Sequence, residues 1–145
     1  MEILQYKPDY LESVIRTWEH ASRVGHPFLS KEFVSSEKNN IPAVYLPNGD
    51  AWVALIQKDV VGFMILHDNE IGALFVQPEF HGQGIGHALV NKAYELHGEL
   101  YVEVFKKNVI GTKFYSRYGF HFVREYMHTE SGMTMLCLNY KKNPN

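Results

Sequence analysis

The sequence predicts a mixed α/β (α+β) fold built on a mostly antiparallel sheet. Three observations lead there. The apolar runs "AWVALIQ", "VVGFMILH" and "IGALFV" follow one another with no helical segment between them, which implies an antiparallel meander. Two segments of helical character precede them. Behind them, helix and strand alternate before two closing strands, so the order is helix, helix, three strands, helix, strand, helix, two strands.

The first helix is expected from Pro8 to Arg23, where Leu11, Val14, Ile15 and Trp18 recur at helical spacing and Pro8-Asp9 suits a helix start. "GHPFLS" breaks the pattern with Gly25 and Pro27, and Ser30 followed by Glu32 and Glu37 signals a second short helix. The turn "LPNGD" leads into "AWVALIQ", which the two-residue connection "KD" joins to "VVGFMILH" as a hairpin. After the third strand, Ile85, Ala88, Leu89, Ala93 and Leu96 mark one face of a helix that ends near His97, before Gly98. "LYVEVF" is the next strand, "NVIGTKFYSRY" a helix stopped at Gly119, and "FHFVREY" and "MTMLCLNY" close the chain as strands. Trp18 and Trp52 are expected in the core.

A chain of 145 residues, 46% hydrophobic and 21% charged, suits one globular domain, expected over residues 1–140 with "KKNPN" (141–145) as a flexible tail. A formal charge of −2 without any long basic block argues against a nucleic-acid partner. Cys137 stands alone, which fits a reducing cytoplasm. The first residues carry charges throughout and lack a signal peptide's apolar segment. No run reaches the roughly 18 apolar residues of a membrane span, so a cytoplasmic, non-membrane protein is expected. The eight histidines form no recognised ligand spacing, and no metal is expected.

The stretch "VQPEFHGQGIGHALV" places Gly82, Gly84 and Gly86 between a strand and a helix start. First-turn N–H groups lack internal partners and lie at the positive end of the helix dipole, so such a junction can hold an anionic phosphate. A flexible turn with close helix packing explains a bare glycine triplet equally well. Two phosphate motifs are tested directly. A P-loop needs Lys-Ser/Thr after its last glycine, where His87-Ala88 stand here. A dinucleotide fingerprint needs G-x-G-x-x-G in the first unit of a parallel sheet, whereas the spacing here is G-x-G-x-G behind a meander.

With strand, glycines and helix in this order, the chain resembles the GNAT superfamily of acyl-CoA-dependent N-acyltransferases. The family's pyrophosphate loop, Arg/Gln-x-x-Gly-x-Gly/Ala after the fourth strand, is similar to His81-Gly82-Gln83-Gly84-Ile85-Gly86, with His81 in the first place. "LYVEVFKKNVIGTKFYSRYGF", Leu100 to Phe120, resembles the family's strand, Asn, helix, Tyr, Gly-Phe signature, and the likeness runs from about Ala51 to Phe120. Helical geometry agrees: at about 100° per residue, Asn108, Gly111, Thr112 and Tyr115 share one arc, and Ile110, Phe114 and Tyr118 another.

The resemblance implies a GNAT fold: a mixed, mostly antiparallel sheet splayed between its fourth and fifth strands, with helices on both faces. It implies acetyl-CoA as co-substrate and a primary amine as acceptor, in a small molecule, a peptide or a protein lysine, by direct attack in a ternary complex. Pyrophosphate would lie at Gly82, Gln83, Gly84, Ile85, Gly86, His87 and Ala88. Pantetheine would run along Leu74, Phe75 and Val76, with the Leu74 N–H as oxyanion donor and Asn108 on its other side. Tyr115, a phenol protonated at neutral pH, is the expected general acid for the leaving thiolate and also touches the cofactor. Glu103 is the expected base, with Glu70, His67, Asp68 and a water relay as alternatives. His26 and Phe28 are expected at the acceptor pocket. The rival function is a non-catalytic acyl-CoA sensor of the same fold, and open strand edges after "MTMLCLNY" would support a homodimer.

Overall fold

The structure, a computed structural model, describes residues 1–142; residues 143–145, the end of the expected tail, lie outside the described residues. The strands are β1 (Glu2–Gln5), β2 (Asp50–Ile56), β3 (Asp59–His67), β4 (Glu70–Val76), β5 (Leu100–Phe105), β6 (His121–His128) and β7 (Met133–Tyr140). They form one sheet in the order β1-β2-β3-β4-β5-β7-β6. Only the β4–β5 pairing is parallel. The helices are α1 (Leu11–Gly25), α2 (Lys31–Asn40), the short α3 (Leu46–Asn48), α4 (Ile85–His97) and α5 (Val109–Tyr118).

The sheet is covered on both faces, and β3 shows why. Its continuous apolar run is buried from Val60 to Leu66, as expected of a central strand with no solvent face. Phe63 and Ile65 turn towards Val14 and Trp18 of α1, while Met64 and Leu66 turn towards Ile85 and Leu89 of α4. On α1 the buried residues Val14, Thr17, Trp18 and Ser22 fall on one stripe. Burial of each large apolar side chain contributes roughly 1.5–3 kcal/mol, so these two layers dominate the stability. A buried polar link reinforces the first: Gln77 donates to the Thr17 hydroxyl at 3.2 Å and accepts from His20 Nδ1 at 2.8 Å.

The expected elements are present, with five differences. β1 was not anticipated, because four residues of mixed polarity carry no periodic signal; it forms by pairing Glu2–Gln5 with Trp52–Leu55. The hairpin turns at Gln57-Lys58, one residue before the expected "KD", with φ of 51° and 71°, the pattern of a type I′ turn. The first helix opens as a 3-10 turn at Pro8–Tyr10 and becomes α-helical only at Leu11. The segment Ile41–Tyr45 winds as a π-turn that runs into α3, where only a loop was expected. Finally, β7 lies between β5 and β6, so the open edges belong to β6 and β1 and not to "MTMLCLNY". Among the described residues no helix is long and apolar enough to cross a membrane, and no three His, Cys, Asp or Glu side chains gather as a metal site.

Candidate active site

β4 and β5 pair only at Glu70↔Tyr101 and Ile71↔Val102 and then part. The parting coincides with a bulge in β4: Leu66 opposes Ile71 and Ile65 opposes Ala73, leaving Gly72 without a partner. An extra residue of this kind bends its strand and increases its twist. Between the diverging strands lies a cleft of about 880 Å³, walled by Leu74, Phe75 and Val76 on one side and Glu103, Val104 and Phe105 on the other.

The strand geometry leaves donors aimed into that cleft. The Gln77 N–H donates to the Val61 carbonyl at 2.8 Å. Backbone groups alternate sides along a strand, so Phe75 and Ala73 also turn their N–H groups to β3, and Leu74 and Val76 turn theirs to the side β5 has left. His81 folds back on this strand end, its Nε2–H donating to the Val76 carbonyl at 3.0 Å. The side chain at the motif's first position therefore pins the loop to β4.

At the end of the cleft, Gly82 and Gly84 take φ of 81° and 83°, left-handed values that glycine adopts without strain. Gly84 caps α4 with no side chain, and the first intrahelical bond is Ala88 N–H to Gly84 O at 3.0 Å. The N–H groups of Ile85, Gly86 and His87 thus have no helical acceptor, while that of Ala88 is already engaged. Gly86 has a different reason to be glycine: a Cβ there would come within 2.9 Å of the Phe114 ring on α5. His87 and Tyr118 pack at 4.8 Å between ring centres, and the Tyr118 hydroxyl donates to Asn91 at 2.7 Å, fastening α5 to α4. Lys113 and Arg117 of α5 also line this end of the cleft. They are one helical turn apart, a spacing visible in the sequence but unmarked by any motif.

Tyr115 is buried yet lines the cleft, and burial pushes its phenol well above the usual tyrosine range. Glu103 lines the β5 side of the cleft, on the face of that strand opposite to Val102 and Val104; it accepts a hydrogen bond from the Tyr126 hydroxyl at 2.7 Å, and Cys137 Sγ lies 3.6 Å from its other oxygen. Glu70 and His67 border the same cleft.

Asn108 and His26, assigned from sequence to opposite halves of the site, meet each other. Asn108 Oδ1 accepts from the Gly111 N–H at 2.9 Å, capping α5, which turns Nδ2 towards His26 Nε2 at 3.2 Å. Nε2 must then be the bare ring nitrogen, leaving Nδ1–H to face the Ser22 hydroxyl at 3.4 Å. Burial lowers the imidazole to about 4, so the ring is neutral. It also packs at 5.1 Å from Phe105 and 6.0 Å from Phe75, spanning both walls of the cleft. Phe28 meets Phe105 edge to face at 5.6 Å and does not border the cleft; Phe33 and His128, for which the sequence suggested no role, do. Gln83 and Ala88 are likewise outside the lining. Beyond these rings the Tyr45 hydroxyl donates to Glu37, and burial together with that carboxylate pushes the phenol up to about 12.

Residues 47–122 match the acetyltransferase (GNAT) domain family. The chain belongs to the GNAT acetyltransferase family. It is similar to the peptidyl-lysine N-acetyltransferase YjaB of Salmonella typhimurium, 36% identical over 110 residues that make up 75% of each chain. Its fold is that of apo YjaB from Escherichia coli, with a TM-score of 0.86, 27% identity and 96% of each chain covered. An acetyltransferase from Bacillus anthracis solved with acetyl coenzyme A shares the fold at a TM-score of 0.61 and 21% identity, over 69% of this chain and 70% of that one. The GNAT match begins after α1 and α2, so the helices that carry Phe33 and Glu37 and end beside His26 lie outside it. The glycine loop, both strands that wall the cleft, α4 and α5 lie within the matched residues, and α1 and α2 do not.

Proposed function

We propose that this chain transfers the acetyl group of acetyl-CoA to a lysine side chain of a peptide or protein, by direct attack within a ternary complex. The observation that carries the reading is the parting of β4 from β5 immediately before the open N-terminus of α4. Such a cleft offers strand donors to a pantetheine arm and helix donors to a pyrophosphate. Lys113 and Arg117 add positive charge at the same end, and Glu37, Glu70 and Glu103 border the rest of the cleft, where a cationic acceptor would be favoured. The names of the curated relatives, peptidyl-lysine N-acetyltransferases, support lysine over a small amine. A cytoplasmic setting, where acetyl-CoA and reduced thiols coexist, belongs to the same reading.

In this mechanism the acceptor ammonium first loses a proton to Glu103, since an amine of pKa about 10.4 is otherwise charged. The neutral nitrogen attacks the thioester carbonyl, whose oxygen is met by the Leu74 N–H. A C–N bond forms and the C–S bond breaks. Tyr115 gives its proton to the departing sulfur and is restored by the second nitrogen proton, and the proton on Glu103 passes to water. Asn108 plays a different part from the pantetheine contact first expected, because its amide is committed to the α5 cap and to His26.

The test is direct. The protein is incubated with acetyl-CoA and a lysine peptide, and thiol release is followed together with acetylation of the peptide. Both should rise in step. Tight binding of acetyl-CoA with no thiol release for any amine would leave the sensor function standing in its place.

A further inference from the structure

β6 carries one residue more than β7 can oppose. Phe122 pairs with Leu138 and Arg124 with Cys137, so Val123 bulges out between them. Because side chains alternate across a sheet, the extra residue moves everything after it to the other face. An unbroken register would set Tyr126 opposite Thr134, on the face of Leu136 and Leu138 that packs against the α4 core. The bulge sets it opposite Met135 instead, in the row that β7 shares with Phe105 and next to the row of Cys137 and Glu103.

We propose that Tyr126 is the positioning residue for Glu103, reaching across β7 to hold one carboxylate oxygen so that the other is presented to the acceptor nitrogen. The role presupposes Glu103 as the base, as proposed above. Three contacts define it. The Tyr126 hydroxyl donates to Glu103 Oε2 at 2.7 Å, among the described residues Oε1 has only the Cys137 thiol at 3.6 Å, and the Arg124 guanidinium lies 5.3 Å from the centre of the Tyr126 ring, holding it in place. Burial and the neighbouring carboxylate push the Tyr126 phenol up to about 12, so it remains a donor throughout the working range. The other charged or titratable groups facing Glu103 are Arg124 from β6, Cys137 from β7, Glu70 from β4 and Tyr101 beside it on β5. Sequence reasoning gave "FHFVREY" no role, because without the bulge Tyr126 points the wrong way.

The experiment compares wild type, Tyr126→Phe, Glu103→Gln and the double variant, using acetyl-CoA and a lysine peptide. Tyr126→Phe keeps the ring and its cation contact and removes only the donor. In Tyr126→Phe kcat should fall about tenfold, with KM for acetyl-CoA unchanged. In the Glu103→Gln background the same change should add nothing. An unchanged kcat in Tyr126→Phe beside a strong loss in Glu103→Gln would overturn the positioning role and leave the base standing. Equal losses from Tyr126→Phe in both backgrounds would also overturn it, since Tyr126 would then act without Glu103. Full activity in Glu103→Gln would remove the base itself, and the positioning role with it.

Discussion

His26 Nε2 and Asn108 Nδ2 lie 3.2 Å apart in the lining of the cleft, joining the C-terminal end of α1 to the N-terminal cap of α5. Each residue seen alone suggests a ligand contact. Together they form a latch in which a capped amide, fixed by the Gly111 N–H, meets a neutral imidazole fixed by burial. The approach is close enough that a Cβ on Gly111 would stand 2.6 Å from Asn108 Nδ2.

The latch makes stability depend on pH. His26 titrates at about 4 in the folded chain against an ordinary 6.5, so between those values the unfolded chain binds a proton that the folded chain refuses. The contribution is fully present above the unfolded value and is lost as pH falls through the folded one. His26→Gln keeps an acceptor for Asn108 and removes the titration. Urea unfolding at a series of pH values should show the variant's slope smaller than wild type's by about one proton across this window. Identical slopes would mean that His26 is not held neutral.

Tyr115→Phe should act on turnover. Its burial keeps the phenol protonated at every working pH, as a general acid for a thiolate requires. Loss of the proton donor should lower kcat by roughly 10²–10⁴-fold and leave the dissociation constant of coenzyme A nearly unchanged. A thioester with a more acidic leaving thiol should recover part of the loss. If both esters suffer alike, Tyr115 is a packing residue.

Gly84 and Gly86 should fail for different reasons. A Cβ on Gly84 meets nothing within 4 Å, so Gly84→Ala suffers only the left-handed backbone, about 1–2 kcal/mol. Relief of that strain would turn the loop's amides away, so coenzyme A affinity should fall with it. Gly86→Ala instead drives a methyl into Phe114 and should part α4 from α5. Pairing it with Phe114→Leu should restore much of its thermal stability, whereas Gly84→Ala should gain nothing from that partner.

Lys113 and Arg117 should set the salt dependence of cofactor binding. Calorimetry with coenzyme A should give a clear signal that weakens as ionic strength rises. Lys113→Gln with Arg117→Gln should reduce both affinity and salt dependence, with thermal stability kept, since neither residue takes part in an ion pair among the described residues. ATP or NAD binding more tightly than coenzyme A would contradict the cofactor assignment.

Much of the fold and the glycine-loop end of the cleft could be read from sequence because their signals are local. Strand runs, the glycine loop, the Ser30 cap and the stop at Gly119 each lie within a few consecutive residues, and the structure places them where the pattern predicted. β1 escaped detection because an edge strand exists only through its partner, and the α2–α3 segment because a π-turn has no residue signature.

The rest of the cleft depends on registers and long-range meetings. Local pattern determined the order of elements after β1, the family and the open helix end at Gly84, because backbone conformation follows from neighbours in the chain. Only the tertiary structure decided that His26 and Asn108 hold each other and that Val123 turns Tyr126 to Glu103. Those meetings span 82 and 23 residues of chain, and one extra residue in a strand is enough to change which face a side chain serves.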